Sequence, residues 1–591
     1  LLSHKRTGIH FRNFVKEFAE FNSLNYGYFF NGAGVAAGDV NNDGLVDLFF
    51  AGNLVGNRLY LNKGDFLFED ITDKAGIYAF ESWSNGATMA DVNADGFLDI
   101  YVCCSTDRRQ RFRKNLLFLN NGDLTFTESA EAYGIGDIAY STHSAFLDYD
   151  KDGDLDLFVL NHSVDKFAMY SEEFVQLRAS RDPWYGQKLF RNDGNRFTEV
   201  TYSARIYSSA INFGLGVAVA DFNGDRWPDI YVCNDYFEKD YFYINQRDGT
   251  FREAMEEYFR YISLSSMGCD AADINNDGCI DLFTLDMLPE DHYEQKLVEG
   301  PDNYERLSVR EEGFYYQTTR NMLQLNCGNT HFTEVGQYAG LHGTNWSWSP
   351  LICDFDNDGL KDLFVSNGYG KNVTHMEILE LQVEETLKKR AGEPGMDLMD
   401  FLDLIPATVL SNYMYQNQGE LSFENVGKAW GFDHPSLSNG ATYADLDNDG
   451  DMDLVISNVN DHAHVYRNNA ERLSSNHYLK IKLEGSDRNT GGIGARIDVY
   501  CRDRVISQEA NPSRGYMSSV DHALIFGLGD ATRVDSLTIT WPDLRSQTLS
   551  NLEVDRTLTL RNEDAILEGE QPEPETLKLF TSLKDAKPIQ Y

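Results

Sequence analysis

No stretch of this 591-residue chain approaches the roughly 20 consecutive apolar residues of a membrane-spanning helix, so no segment is expected to cross a bilayer in that form. Basic residues are scarce: 51 Lys and Arg stand against 93 Asp and Glu, giving a formal charge of −42. That balance argues against nucleic acid and anionic membrane surfaces as partners. The cysteines (Cys103, Cys104, Cys233, Cys269, Cys279, Cys327, Cys353 and Cys501) show no regular spacing and no C-x-x-C zinc signature. They read as small buried hydrophobes, and a core of this size needs no disulfide framework. Catalytic signatures are missing too. The chain has no G-x-S-x-G and no H-E-x-x-H, and His143 has no triad visible in the sequence, so no catalytic residue is assigned.

What the chain has is one motif written seven times, a nine-residue acidic loop D-x-[DN]-x-D-G-x-x-D leading into a short β-branched or aromatic run. Loop one is Asp39, Asn41, Asp43, Gly44 and Asp47; loop two is Asp91, Asn93, Asp95, Gly96 and Asp99. Loop three is Asp148, Asp150, Asp152, Gly153 and Asp156. Loop four has Asp221, Asn223, Asp225 and Asp229, but Arg226 stands where the others have glycine. Loop five is Asp273, Asn275, Asp277, Gly278 and Asp281. Loops six and seven are Asp354, Asp356, Asp358, Gly359, Asp362 and Asp445, Asp447, Asp449, Gly450, Asp453. Oxygens at the first, third, fifth and ninth positions make a cage for a hard divalent cation, by the logic of an EF-hand loop shortened at its end. The seventh position is expected to add a backbone carbonyl, and the glycine permits the positive φ that folds the loop. Calcium is therefore the expected cofactor, up to seven ions. Arg226 in that conformation costs about 1 kcal/mol, which ranks loop four weakest. The plainer alternative is a set of solvated acidic turns held by Asx hydrogen bonds, which would not require five fixed positions. Calcium is plentiful outside cells and scarce in the cytosol, so the loops favour an extracytoplasmic protein.

Each loop belongs to a longer unit. Seven residues before its first Asp stands a small residue (Gly32, Ser84, Ser141, Gly214, Ser266, Ser347, Ser438), as expected if the first strand of each unit crowds a central axis. Five residues before it stands Gly34, Gly86, Gly216, Gly268 or Gly440, with His143 and Ser349 as departures. Strands such as Asp99-Ile-Tyr-Val follow, then a third strand and Asn-x-Gly turn, then a fourth of the type Phe68-Glu-Asp-Ile-Thr. Four strands per unit, seven times over, predict an all-β seven-bladed propeller across 8–472. The seventh unit lacks its fourth strand, and Gly8-Ile-His-Phe-Arg-Asn is expected to supply it and close the ring. Insertions at about 163–186, 286–318 and 371–411 fall between second and third strands, on the face opposite the acidic loops. The third carries a helical pattern, Met376, Leu379, Val383 and Leu387. Residues 474–563 alternate apolar and polar side chains, as in Tyr478-Leu-Lys-Ile-Lys-Leu, and read as a small C-terminal β domain.

The loops and turns resemble the FG-GAP/VCBS blades of integrin-α-type propellers. Gly491-Gly-Ile-Gly-Ala-Arg, Arg514-Gly-Tyr-Met-Ser-Ser, Phe526-Gly-Leu-Gly and Trp541-Pro-Asp are similar to the ASPIC/UnbV domain. Together they resemble the family of cartilage acidic protein and its bacterial homologues. That resemblance implies a secreted calcium-binding propeller, and it leaves the activity open because the family includes both adhesion-like proteins and enediyne-pathway enzymes. In the family, glycine usually follows Trp-Pro-Asp; here Leu544 follows, so a different turn is expected. Arg496 and Arg514 are expected to pair with structural carboxylates.

Two functional readings follow. The starts of the first strands bring Trp83, His143, Asn212, Phe213, Trp346, Trp348 and Asn439 towards the insertion-bearing face, as an aromatic funnel for a ligand or as a plug that fills the axis. The first reading is a binding or adhesion protein that captures a protein, peptide or glycan on that face. By resemblance to bacterial relatives it is a possible outer-membrane lipoprotein beside a nutrient importer. The second is an enzyme using the funnel for acid–base or cyclisation chemistry on a small molecule. Residues 564–591 begin as a charged, proline-bearing linker, and Leu579-Phe-Thr-Ser-Leu-Lys-Asp-Ala-Lys-Pro-Ile-Gln-Tyr is expected to open a further repeat unit.

Overall fold

The computed structural model describes residues 1–77, 79, 82–105, 113–164, 176–194, 196–236, 238–298, 315–372 and 375–567. The proposed linker and the start of a further repeat therefore lie outside the described residues, as does part of each of the first two insertions. The fold is all-β with few helices. Seven antiparallel sheets carry the seven acidic loops, each loop joining a first strand to a second. The first strands are Val35–Gly38, Trp83–Ala90, Ser141–Leu147, Gly214–Ala220, Cys269–Ala272, Ser347–Cys353 and Ser438–Ala444. They and their second strands are covered on both faces, which is why the alternation of a one-sided strand is missing from runs such as Asp99-Ile-Tyr-Val. Six sheets end in a three-residue fourth strand that opens on phenylalanine, from Phe68–Asp70 to Phe423–Asn425. The seventh has three strands.

The N-terminal segment reaches that seventh unit through isolated bridges, at the expected residues and at one earlier residue. Arg12 and Asn13, inside the expected stretch, bridge His462 and Val459, and Leu2 lies beside the third strand, its N–H donating to the Val465 carbonyl at 2.7 Å. Helix His4–Thr7 follows and ends on Gly8 at φ 78°, as Thr72–Ala75 ends on Gly76 at φ 73°. The segment therefore has the helix–glycine ending of the first and second units, and Gly8-Ile-His-Phe follows it. Phe11 and Asn13 then bond to Ala463 and Asn460.

Six neighbouring pairs of units are bolted by one recurring side chain, an asparagine at or just past the end of the third strand. Asn120 donates to the Val40 carbonyl of the unit before it, Asn245 to Tyr149, Asn326 to Phe222, Asn417 to Ile274 and Asn468 to Phe355. Asn62, in the first unit, donates to Leu446 of the seventh at 2.9 Å.

The glycines five residues before each loop lie where first strands meet backbone to backbone. A Cβ on Gly86 would sit 2.5 Å from the Thr142 carbonyl oxygen, and one on Gly268 2.2 Å from that of Trp348. On Gly34 it would sit 1.6 Å from the oxygen of Met517, a residue of the C-terminal module.

That module forms two sheets, Leu524–Gly529, His477–Glu484 and Arg556–Arg561 in one, and Arg504–Glu509, Arg496–Cys501, Arg533–Thr540, Arg545–Glu553 and Ile566–Leu567 in the other. Between them lies a core built on Trp541, Leu479, Ile497 and Phe526. Trp541-Pro-Asp-Leu keeps the turn a glycine would make: Leu544 takes φ 67° and its N–H donates to the Trp541 carbonyl, so the expected change of turn does not occur.

Strands Ser513–Arg514 and Ser518–Ser519 leave the module and extend the first sheet. Residues 511–519 reach the first strand of every unit. Ser518 Oγ accepts from Val35 N, the Met517 carbonyl from Ala87 N, and the Ser518 carbonyl faces His143 Nε2 at 3.1 Å. Asn511 donates to Val219, the Gly515 carbonyl accepts from Cys269 N, Tyr516 N donates to Ser349 Oγ, and the Ser519 carbonyl accepts from Thr442 Oγ1. His143 and Ser349, the two departures from glycine, grip this plug with their side chains, as Thr442 and Asp270 also do.

Candidate metal centres

Six of the acidic loops, all but loop three, share one hydrogen-bond scheme. In loop one, Asp39 accepts from Asp43 N and Gly44 N, and Asp43 accepts from Leu45 N. Loop six repeats this with Asp354, Asp358, Gly359 and Leu360. The ninth residue does a second job: Asp47 accepts from Val40 N with one oxygen and from Asn62 N with the other, tying the loop to the third strand. Asp99, Asp156, Asp281, Asp362 and Asp453 make the same pair of bonds.

Two residues per loop take positive φ. The sixth does so as expected, from Gly44 at 86° to Gly153 at 98°, and Arg226 is held there at 68°. The fourth does so as well: Asn42, Ala94, Lys151, Gly224, Asn276, Asn357 and Asn448. Loop four has therefore kept its glycine and placed it two residues early.

The donors suit a hard cation. In loops three, six and seven, carboxylate oxygens of the first, third and ninth residues lie within 4.8 Å of one another: Asp148, Asp150 and Asp156; Asp354, Asp356 and Asp362; Asp445, Asp447 and Asp453. These are the loops with Asp rather than Asn at the third position. Buried oxygens on Asp148, Asp229 and Asp447 have no hydrogen-bond partner, as ligand atoms need. Burial pushes Asp47, Asp99 and Asp281 up to about 8 against the pull of two backbone N–H groups each. Burial, with Asp152 and Asp150 beside it, pushes Asp148 to about 7. A divalent ion opposes every one of these shifts, because it favours the ionised carboxylate. All-oxygen donors of this kind fit calcium in charge and hardness.

The C-terminal module covers the loop face. Lys480 Nζ lies 2.7 Å from Asp445 Oδ2, with both side chains buried. Thr490 Oγ1 donates to Asp91 at 2.6 Å, Arg496 to the Gly278 carbonyl at 2.8 Å, and Arg504 to the Asp358 carbonyl at 3.1 Å. Arg514 reaches Asp270 at 2.9 Å, so both arginines pair with structural carboxylates and carbonyls.

Residues 23–102, 104–159 and 221–284 match the FG-GAP-like repeat, and residues 485–567 match ASPIC and UnbV. The chain contains FG-GAP-like repeats and an ASPIC/UnbV domain. It is 27% identical to cartilage acidic protein 1 of Xenopus tropicalis over 205 residues, 34% of this chain and 29% of that protein, so the match spans less than a third of the relative. Among solved structures it is similar to an Agrocybe aegerita lectin that recognises non-reducing terminal N-acetylglucosamine, at TM-score 0.36 and 14% identity over 67% of this chain and 79% of the lectin. It is also similar to the Vibrio cholerae biofilm matrix protein Bap1, at TM-score 0.28 and 9% identity over 92% of this chain and 62% of Bap1. FG-GAP repeats are typical of extracellular proteins, and among the described residues no helix is long and apolar enough to cross a membrane.

On the other side of the FG-GAP repeats, all seven funnel residues are buried. Trp83, Phe213, Trp346 and Trp348 join one apolar cluster with Tyr26, Phe29, Phe30 and Tyr516. Phe21 and Tyr26 of the N-terminal segment pack edge-on against Trp83, Tyr369 stacks on Trp346 at 4.1 Å, and Trp348 Nε1 donates to the Gly368 carbonyl. Asn212 accepts from the Tyr241 hydroxyl, Asn439 lies against Gly32, and burial pushes His143 down to about 4. These side chains fill the centre of the molecule. Sequence reasoning missed Lys480 and Thr490, which carry no signal beyond lying in an ASPIC/UnbV-like segment. All eight cysteines are free, six of them buried.

Proposed function

We propose that the chain is a calcium-binding, seven-bladed propeller of about residues 2–472, capped by the ASPIC/UnbV module of 474–563, and that it works outside the cytoplasm as a binding protein. Support for the ring is the bond from Asn62 to Leu446, which treats the seventh unit as the first unit's predecessor. Support for calcium is the convergence of carboxylates in loops three, six and seven. The module occupies the loop face, so the ligand is received on the face of the insertions, and the ligand is a protein.

One observation carries that choice. Helix Met376–Arg390 packs through Ile378 against Phe401, Leu402 and Ile405. It turns Leu379, Val383 and Leu387 outward at 44%, 60% and 58% exposure. An apolar stripe at helical spacing left in solvent is the form a partner surface takes. The test is the triple variant Leu379→Asp, Val383→Asp, Leu387→Asp, in cross-linking on the source cells. The wild type should capture a protein in the presence of calcium and lose it in the variant, with melting and calcium content unchanged. Identical capture by both would overturn the reading. A lipid anchor at an outer membrane beside an importer is its narrowest form and rests on family resemblance; fractionation of the source cells tests it.

A further inference from the structure

We propose that His434, Asp461 and His464 form a site for a transition-metal ion of the zinc class, separate from the acidic loops and different in chemistry. His434 lies in the connection that enters strand Ser438–Ala444; Asp461 and His464 flank the turn between Asp453–Asn458 and His464–Tyr466. That end of the seventh sheet is the one away from loop seven. One ligand atom from each residue lies within 4.8 Å of the other two, the spread a single small ion spans. The imidazoles stand 5.3 Å apart at 60°, tilted rather than stacked.

A second observation points the same way. His464 is 6% exposed, and its Nδ1 is buried without a hydrogen-bond partner. Leaving such an atom unmatched costs about 1–3 kcal/mol, a cost that an ion held at Nδ1 removes. Asp461 is fixed by accepting from His462 N at 2.7 Å. Two imidazole nitrogens and a carboxylate suit zinc, copper or nickel rather than calcium, and three protein ligands leave a tetrahedral zinc one corner for water. The place gives the ion a job: His462 stacks on His4 at 4.1 Å, and Leu2 pairs with Val465 next door. An ion here clamps the strand where the N-terminal segment bridges the seventh unit.

The experiment uses tag-free full-length protein saturated with calcium and titrated with zinc chloride by calorimetry, with cobalt(II) as a spectroscopic probe. The expected result is one saturable zinc site that excess calcium does not displace, tetrahedral-type cobalt bands, and a rise in Tm on adding zinc. His434→Gln and His464→Gln should weaken zinc binding at least about tenfold and lose the cobalt bands. His434 is exposed, so its variant remains decisive if His464→Gln fails to fold. Absence of a saturable zinc site in the wild type, or equal zinc affinity in His434→Gln, would overturn the proposal.

Discussion

Arg226 holds a backbone position that the other six acidic loops give to glycine. At φ 68° its Cβ crowds the following carbonyl, and its side chain is exposed. We expect Arg226→Gly to raise stability by about 1 kcal/mol, read from urea melts, while Arg226→Ala leaves it near the wild-type value. In a metal-exchange series, loop four should then stop releasing its ion first. Gly34→Ala is the opposite case. Its Cβ would lie 1.6 Å from the Met517 carbonyl oxygen, so we expect a loss of several kcal/mol, about the range of a severe core clash. Residue by residue, the ligand positions were legible because their chemistry tolerates only oxygen donors. The positive φ at the fourth loop position was not, because Asn, Ala and Lys are held there by the surrounding hydrogen bonds. Leu544 misled for the same reason: the turn imposes its φ on whatever residue stands in it.

Strand His477–Glu484 shows why alternation goes only so far. Its pattern gives Lys480 to solvent, yet Lys480 is buried against loop seven, 2.7 Å from Asp445. Replacing it by methionine leaves a buried carboxylate without its cation, which costs about 3–5 kcal/mol. We expect Lys480→Met to lower Tm sharply in chelator and much less in calcium, where the ion compensates Asp445; an equal loss in both would separate Lys480 from the metal site. Most elements were legible because each unit repeats the same four-strand grammar. In the N-terminal stretch read as a closing strand, Arg12 and Asn13 bridge the seventh unit; the further bridge of Leu2 was not legible, because a single paired residue carries no strand pattern. The plug was invisible. Its strands are two residues long and carry no periodicity, and nothing local says that Tyr516 and Met517 are core residues of a different sheet system.

At the scale of the molecule, stability should follow calcium and pH together. In chelator, the folded-state values of Asp47, Asp99 and Asp281 stand near 8, well above those of an unfolded chain. A raised carboxyl favours the folded state below the unfolded value and loses that support as pH climbs through the folded one. The chelated protein should therefore melt at lower temperature as pH rises from about 4 to about 8. With saturating calcium the slope should reverse, since protons now compete with the ion. Melts in EGTA and in calcium across that range test both; parallel curves would mean the loops hold no ion.

The segment at 511–519 has a consequence in time. A ribosome delivers the seven repeats first, and the residues that occupy their common centre follow only after residue 510. Until then Asp270 has no Arg514 opposite it, and Ala87 and Cys269 have no carbonyl to receive their N–H groups. The nascent repeats must wait with a hydrated middle, at elongation speeds of about 5–20 residues per second. A message cut between about residue 472 and that segment thus yields a polypeptide with every repeat present and an unfinished interior, the kind of product that cellular proteases recognise.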